Sequence, residues 1–355
     1  MPGKGAAVAP RRISRPRRGK DLVTELLPRL QEPKGLTHKE AYVREMVETS
    51  LKLLRDETRL GDIKLLNAAL RELRYALKVF TPYRHVRKVS AFGSARTLPT
   101  TPEYRAAQEF ARRIAAAGYM LITGAGDGIM RAYQEGAGRE RSFGVNIRLP
   151  FEQAPNEFIR EDPKLVTFRY FFTRKLIFIK EADAIVLFPG GFGTHDEGYE
   201  AITLVQTGKS KPMPIVMVDA PRGTYWKTWK RYVEDHLLRR GLVSAEDMSL
   251  FKVTTSVEDA VQEITGFYAV YHSSRNVGQD FVIRLNRPLS GELVTALAND
   301  FADILVSGTI VQCEALPDEH DQEPELDALP RLVFHFNRMN WGRLRQLIDR
   351  INREG

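Results

Sequence analysis

Residues 184–200 read AIVLFPGGFGTHDEGYE and join a short apolar run to a glycine turn and a helix start. The five apolar residues 184–188 are typical of a buried strand, which the Pro-Gly-Gly sequence ends. The segment 194–206 then predicts a helix whose first N–H groups face the turn. A strand that passes through a glycine turn into a helix is the repeating unit of a parallel α/β sheet.

The same unit recurs on both sides of this stretch. We predict strands at 88–93, 119–123, 142–149, 184–188 and 214–218, with helices at 103–117, 129–136, 170–182 and 194–206. Strands that alternate with helices in this way predict an α/β fold with a doubly wound, Rossmann-like parallel sheet. In such sheets, ligands bind beyond the carboxyl ends of the strands.

The two ends of the chain follow other patterns. Residues 36–80 are predicted to be helical, with Thr37 and Glu40 at the spacing of a capping box. From 281 onward, a strand–helix–strand–strand–helix order resembles part of a ferredoxin-like layer. We therefore expect four parts: a disordered basic tail at 1–35, a helical segment at 36–85, a Rossmann-like domain at 86–266 and a C-terminal α+β module at 267–355.

The net charge of +8 over 355 residues is concentrated at the start of the chain. The first 20 residues carry seven Lys and Arg and no acidic residue, which leaves +1 for the remainder. We interpret this Pro/Arg-rich arm as a solvated tail; weak nucleic-acid contact and organelle targeting are the alternatives. No apolar run approaches the ~20 residues of a membrane helix, and the single cysteine, Cys313, excludes an internal disulfide. We predict a cytoplasmic protein without membrane contact.

Three glycine turns follow predicted strands, at 93–96 (GSAR), 124–128 (GAGDG) and 189–194 (PGGFGT). Glycine lets backbone N–H groups approach an anion, and the next helix points its positive end at the same place. Three such turns on one sheet edge predict a phosphate-bearing ligand. The G-x-G-x-G spacing, with no acidic residue about 20 positions on, argues against a dinucleotide. Neither a P-loop nor a zinc-binding pattern occurs, so no metal and no other cofactor is predicted.

Charged side chains accompany the third turn. Glu197 lies about one helical turn beyond Thr194, and Glu200 follows one turn later. Arg174 and Lys175 lie on the preceding helix, which packs beside the same strand end. These residues place carboxylates and cations next to the predicted phosphate site, where the sugar of a nucleotide would lie. His195 is interpreted as a bystander at the helix start.

The segment 189–197 (PGGFGTHDE), together with the Arg174–Lys175 pair, resembles the LONELY GUY (LOG) family. That family, long mislabelled as lysine decarboxylases, is known for cytokinin riboside 5′-monophosphate phosphoribohydrolases. The segment 123–137 (TGAGDGIMRAYQEGA) is similar to its T-G-G-G-x-G-I-M-x-A-x-x-x-G-A motif, with Ala125 replacing one glycine. Gly93-Ser94 matches the family's first-strand turn. The segment 142–156 resembles longer bacterial members, which include purine and pyrimidine nucleotide 5′-monophosphate nucleosidases.

The resemblance, which covers about 86–264, implies hydrolysis of the N-glycosidic bond of a nucleoside 5′-monophosphate. AMP or an N6-modified AMP is the simplest substrate, and the products are free base and ribose 5-phosphate. By analogy, Glu197 stabilises the oxocarbenium-like ribose or orients water, and Arg174 orients the nucleotide or assists the leaving base. The phosphate would be held by Gly190, Gly191, Gly193 and Thr194, helped by Lys175. The remaining substrate-binding candidates are Gly93, Ser94, Gly124, Gly126, Gly128, Met130 and Glu200.

The resemblance also implies a homodimer or larger homo-oligomer whose sites draw on two chains. The alternative function is a non-catalytic nucleotide or molybdenum-cofactor carrier, because relatives with this sheet include such carriers. The presence of both Arg174 and Glu197 favours the enzyme, since a carrier needs neither. A decarboxylase would need pyridoxal phosphate on a lysine, and no lysine is singled out for it. The preferred base is left open.

Overall fold

The computed structural model describes residues 37–149, 154–319 and 323–355. The predicted basic tail at 1–35 lies outside the described residues. The described residues divide into two compact units, one ending at residue 71 and the other beginning at residue 72. In the first unit, helix α1 (His38–Arg55) begins at Thr37, whose side chain and backbone bond with Glu40 as a capping box. This confirms the predicted helix start. Helix α2 (Leu60–Phe80) runs from the first unit into the second.

The second unit is built on a seven-stranded parallel sheet. Its strands are β1 (Lys88–Phe92), β2 (Met120–Thr123), β3 (Ser142–Ile147), β4 (Leu165–Phe168), β5 (Ala184–Leu187), β6 (Ile215–Val218) and β7 (Lys252–Thr254). The order across the sheet is β4-β3-β2-β1-β5-β6-β7, and every neighbouring pair is parallel. The predicted Rossmann-like α/β fold is confirmed. The edge strands β4 and β7 were not predicted, because they are only partly buried and their sequences, LVTF and KVT, mix polar with apolar residues.

Helices cover both faces of this sheet, which is why its inner strands are apolar throughout. The helices are α3 (Pro102–Ala116), α4 (Ile129–Ala137), α5 (Phe171–Lys180), α6 (Phe192–Gln206), α7 (Tyr225–Tyr232) and α8 (Val257–Phe267). Within β5, Ala184 and Val186 pack with α3, α4 and α8, whereas Ile185 and Leu187 pack with α5, α6 and α7. The chain therefore leaves β1 and β5 toward opposite faces. A crevice at the carboxyl ends of these two strands follows from that reversal.

A small α+β module ends the chain, as predicted. It contains β8 (Tyr271–Val277), β9 (Asp280–Leu285), α9 (Gly291–Asp300), β10 (Leu305–Cys313), β11 (Arg331–Phe336) and α10 (Trp341–Glu354). Its antiparallel sheet has the order β10-β11-β9-β8. The predicted strand–helix–strand–strand–helix order was wrong by one strand. The missing strand, β8, reads YHSSRNV and lies at the sheet edge, so it lacks the alternating apolar residues of a half-buried strand.

Polar contacts join this module to the parallel sheet within the second unit. The Tyr268 hydroxyl donates to the Asp183 carbonyl at 2.6 Å. The Arg87 guanidinium lies 3.6 Å from the centre of the Tyr268 ring and donates to the His272 carbonyl at 3.1 Å. Among the described helices, none is long and apolar enough to cross a membrane.

Candidate functional site

The three glycine turns meet at the carboxyl ends of β1, β2 and β5. The Ser94 N–H of the first turn donates to the Pro189 carbonyl of the third at 3.1 Å. The Ser94 carbonyl accepts from the N–H of Ile129, which follows the second turn, at 3.0 Å. Gly128 has a positive φ of 63°, and a Cβ there would collide with the Ser94 carbonyl. The first turn therefore holds the other two in contact, and only glycine fits at 128.

The second turn contains a residue in an uncommon conformation. Ala125, which stands where the LOG motif has glycine, adopts a left-handed φ of 61°. Its N–H donates to Thr123 Oγ1 at 3.0 Å, and its carbonyl accepts from the Asn156 N–H at 2.9 Å. The Asn156 amide also donates to the Gly126 carbonyl at 2.9 Å. These bonds offset a conformational cost of about 1–2 kcal/mol. Asn156 therefore stabilises the second turn through two hydrogen bonds. This role was not predicted from the sequence.

The third turn leads into α6 earlier than predicted. The helix begins at Phe192 rather than Thr194, after Gly191, and no side chain caps it. The Thr194 N–H, which was expected to face an anion, donates instead to the Gly191 carbonyl at 3.0 Å. In the part of the chain that is described, the N–H groups of Gly191, Phe192 and Gly193 have no hydrogen-bond acceptor. These exposed donors lie at the positive end of the helix, as an anion site requires.

Arg174 reaches from α5 to the second turn. Its Nε donates to the Val145 carbonyl at 2.8 Å, and its guanidinium carbon lies 5.1 Å from the centre of the Phe178 ring. A Cβ on Gly124 would lie 2.5 Å from Nη2 of Arg174 and 2.6 Å from Sδ of Met130. The guanidinium and Met130 thus lie against Gly124. Burial lowers the pKa of Arg174 to about 10, so it stays cationic at neutral pH.

Glu197 lies on the second turn of α6 and is only 7% exposed. Its Oε2 atom is 3.6 Å from Nζ of Lys175, and no described residue gives that oxygen a hydrogen bond. The same ammonium lies 2.9 Å from Asp196 Oδ2 and 2.5 Å from Glu200 Oε2. Lys175 and Glu200 were both expected to contact substrate. In the structure they are paired with each other, and the Lys175 ammonium lies among three carboxylates.

The pKa of the Glu197 carboxyl group allows it to exchange a proton near neutral pH. Burial raises its pKa to about 7, although the nearby charges of Lys175 and Arg174 act in the opposite direction. At neutral pH the carboxyl group is therefore divided between its protonated and ionised forms. Side chains that act as general acids or bases work best with a pKa near the operating pH.

His195, interpreted above as a bystander, has a partner near the turn. Its Nε2 atom lies 2.6 Å from the hydroxyl of Tyr225, and that hydroxyl donates to the Gly190 carbonyl at 2.5 Å. Tyr225 is the first residue of α7, 30 positions downstream, and no sequence motif marked it. Neither residue belongs to the predicted site, yet both adjoin its third turn.

Among the described residues, no group of three or more His, Cys, Asp or Glu side chains could hold a metal ion. The predicted site residues lie together around the three glycine turns, at the carboxyl ends of β1, β2 and β5. Gly93, whose Cβ would collide with Ile129, and Gly126, whose carbonyl Asn156 binds, complete the walls of the first two turns.

Solved structures of similar fold cover half of the chain. A structural-genomics X-ray structure is 25% identical over 50% of this chain and 97% of its own, with a TM-score of 0.34. The molybdenum cofactor carrier protein of Chlamydomonas reinhardtii is 18% identical over 50% and 94%, also with a TM-score of 0.34. DNA processing protein A of Helicobacter pylori is 14% identical over 50% and 79%, with a TM-score of 0.35. No curated protein matches the chain.

One family model matches residues 127–264 and is described as "Possible lysine decarboxylase". The matched range contains Arg174, Lys175, Glu197 and the whole third turn, whereas the first turn lies outside it. This is the description under which LOG proteins were long grouped. The part of the chain that carries the charged half of the site is therefore similar to this LOG-like family.

Proposed function

We propose that this protein hydrolyses the N-glycosidic bond of a nucleoside 5′-monophosphate and releases the free base and ribose 5-phosphate. One observation carries the proposal: a buried carboxyl group, that of Glu197, lies one turn from a helix start whose first three N–H groups have no acceptor among the described residues. The free donors suit a phosphate, and the carboxyl suits the sugar attached to it. AMP or an N6-modified AMP is the simplest substrate of this kind.

The phosphate end of the substrate is proposed to bind the backbone of the third turn. The N–H groups of Gly191, Phe192 and Gly193 supply donors, and the dipole of α6 favours negative charge there. Because the phosphate does not react, its binding energy positions the ribose for the chemical step. A nucleoside without phosphate loses that positioning and reacts slowly.

The chemistry at the sugar needs one carboxyl group and one water molecule. As the bond between C1′ and the base nitrogen breaks, its electron pair leaves with the base and positive charge develops on the ribose ring. The ionised Glu197 stabilises that charge and accepts a proton from the water whose oxygen bonds to C1′. The departing base takes a proton from solvent water, which balances the proton that Glu197 later releases to solvent. A pKa of about 7 lets Glu197 release the proton again after each turnover.

The two cations are assigned different tasks. Arg174, held by the Val145 carbonyl and lying against the second turn, is proposed to orient the nucleotide and assist the leaving base. Lys175 is proposed to hold Glu197 in place and to balance three neighbouring carboxylates. Without that ammonium, mutual repulsion and burial would favour the protonated form of Glu197 more strongly.

The test is a panel of AMP, GMP, CMP, UMP and adenosine, assayed for free base and for ribose or its 5-phosphate. At least one monophosphate should be hydrolysed, with kcat/KM about 100-fold or more above that of adenosine. Glu197→Gln should lower kcat by about 100-fold or more. Glu234→Gln, which alters an exposed carboxylate of a surface ion pair, is the matched control and should keep the full rate.

Two results would contradict this assignment. Tight binding of a monophosphate with no release of base would make the protein a nucleotide carrier. Full activity of Glu197→Gln would remove the carboxyl from the reaction. Release of carbon dioxide from lysine would instead support the literal description of the matching family.

We also propose that the protein works as a homo-oligomer, as the resemblance implies. On α5, next to the candidate catalytic arginine, Phe171, Phe172 and Leu176 are each half exposed and form an apolar surface that a second copy could cover. Light scattering of the full chain measures the assembly, and a monomeric mass would refute this proposal.

A further inference from the structure

A chain of two hydrogen bonds ties the third glycine turn to the next helix of the fold. His195, on the first turn of α6, lies 2.6 Å from the Tyr225 hydroxyl. That hydroxyl lies 2.5 Å from the carbonyl oxygen of Gly190. We call this arrangement, made of His195, Tyr225 and the Gly190 carbonyl, the tyrosine clamp.

The direction of both hydrogen bonds follows from chemistry. A carbonyl oxygen can only accept, so the single hydroxyl proton of Tyr225 points at Gly190. The Tyr225 oxygen must then accept from His195, which fixes the proton of the imidazole on Nε2. The clamp therefore runs from the imidazole through the phenol to the backbone of the turn.

The clamp restricts the part of the turn that faces an anion. The C=O and N–H groups of one planar trans peptide point in opposite directions. Because Tyr225 holds the Gly190 carbonyl, the N–H of Gly191 in the same peptide points the other way. The preceding peptide is held similarly, since the Pro189 carbonyl accepts from the Ser94 N–H at 3.1 Å. Two consecutive peptide planes, Pro189–Gly190 and Gly190–Gly191, are thus each held by a donor from outside the turn.

The turn needs such support at Gly191, because the Thr194 side chain packs against Gly190 but no side chain packs against Gly191. Nothing lies within 4 Å of the position that a Cβ on Gly191 would take. The clamp itself rests on a rigid base: the N–H of buried Trp226 donates to Asp219 Oδ2 at 2.9 Å. The rings of Tyr225 and His195 also pack on Trp226, with centroids 4.9 and 5.4 Å from it. The tyrosine is therefore fixed before any ligand arrives.

We infer that Tyr225 and His195 are positioning residues that preorganise the Gly190–Gly191 peptide to bind the phosphate of the substrate. The inference rests on the proposed function, because it takes the third turn to be the phosphate site. A preorganised donor gives up less conformational freedom on binding than a free glycine backbone does. The clamp should therefore affect ligands that carry phosphate and leave others unchanged.

The test measures binding of AMP, inorganic phosphate and adenosine to the full chain by calorimetry. Tyr225→Phe removes one oxygen atom and should weaken AMP and phosphate about five-fold, the effect of one hydrogen bond, with adenosine unaffected. KM for the monophosphate should rise by the same factor while kcat changes less than about two-fold. Tyr232→Phe, at an exposed ring in the same helix, is the matched control and should change none of these values.

Variants of His195 separate positioning from a general loss of structure. His195→Leu should weaken AMP about two- to three-fold, and His195→Gln, which keeps an N–H donor, should restore most of that loss. In the Tyr225→Phe background, His195→Leu should have no further effect, because the two residues act as one unit. Melting temperatures within about 2 °C of wild type would show that folding is intact.

The outcomes distinguish this inference from the proposed function. If Tyr225→Phe weakens phosphate binding but wild type hydrolyses no nucleotide, the clamp stands and the proposed reaction fails. If wild type hydrolyses a monophosphate and Tyr225→Phe keeps its Kd and KM, the clamp is refuted and the reaction stands. If wild type binds neither AMP nor phosphate, both are refuted.

Discussion

The substitution Glu197→Gln should make the protein more stable at alkaline pH, although it removes the proposed catalytic group. Glutamine has nearly the shape of the protonated acid and carries no charge. The ionised carboxyl of Glu197 is buried, and one of its oxygens has no hydrogen bond from the described residues. Its charge is therefore a cost that the folded state bears and the unfolded chain does not.

The size of that cost follows from the pKa. Burial raises the pKa of Glu197 from 4.5 to about 7. Each pKa unit corresponds to about 1.4 kcal/mol, so ionisation destabilises the folded state by about 3 kcal/mol.

The sign depends on pH in a defined window. Below pH 4.5 the carboxyl is protonated in both states and contributes no destabilisation, so wild type and variant should be alike. Between pH 4.5 and about 7 the unfolded chain ionises first, and the wild type loses stability as pH rises. Above about pH 8 the whole difference is present. Glutamine does not ionise, so the variant has no such pH dependence at this position. The difference in the free energy of unfolding between variant and wild type should therefore grow with pH.

The assay is urea unfolding at pH 5 and pH 8, followed by tryptophan fluorescence. All three tryptophans, Trp226, Trp229 and Trp341, lie in the unit 72–355, so the signal reports the unit that contains Glu197. We expect the stabilisation by Glu197→Gln to be about 2–3 kcal/mol larger at pH 8 than at pH 5.

The surface variant Glu234→Gln serves again as control and should stay within about 0.5 kcal/mol of wild type at both pH values. The reasoning is refuted if Glu197→Gln is no more stabilising at pH 8 than at pH 5. Such a result would mean that the ionised carboxyl is well solvated in the folded state, and it would remove the argument for a proton-exchanging group.

Two further predictions concern the frame around the site. Gly128→Ala places a Cβ against the carbonyl of the first turn and should lower the free energy of unfolding by about 2 kcal/mol or more. Gly241→Ala, at a similar positive φ but in open space, should lower it by about 1 kcal/mol. Equal losses of the two variants in urea unfolding would contradict this prediction. Arg345→Met removes a buried guanidinium that pairs with Glu263 and Asp349. Because Lys252 still pairs with Glu263, the loss should be about 2 kcal/mol, against about 0.5 kcal/mol or less for the exposed Arg353→Met; calorimetric unfolding of both variants provides the comparison.

The fold could be predicted where a local pattern of apolar residues indicates a strand or a helix. The apolar run at 184–188 is covered by helices on both faces, and this is visible in sequence because no polar residue interrupts it. Short edge strands, such as β7 (Lys252–Thr254), touch fewer neighbours and leave no such pattern. For the same reason β8, which is polar and lies at a sheet edge, was missed.

The site could be predicted in its parts but not in its pairings. Glycine turns and a helix start are local features, and the motif that contains Glu197 is continuous in sequence. Which atoms Lys175 contacts depends on how α5 packs beside α6, and its ammonium lies among the carboxylates of Asp196, Glu197 and Glu200. The start of α6 at Phe192 similarly changed which N–H groups remain free.

By itself, the sequence determined the parallel sheet, the three turns and the residue types that accompany them, because each depends on neighbours a few positions away. Only the tertiary structure decided the burial that raises the pKa of Glu197 and the contact between Tyr225 and Gly190. Both depend on distances between segments that are far apart in the chain. Solvent exclusion and hydrogen-bond geometry arise from packing between distant segments, so no local stretch of sequence specifies them.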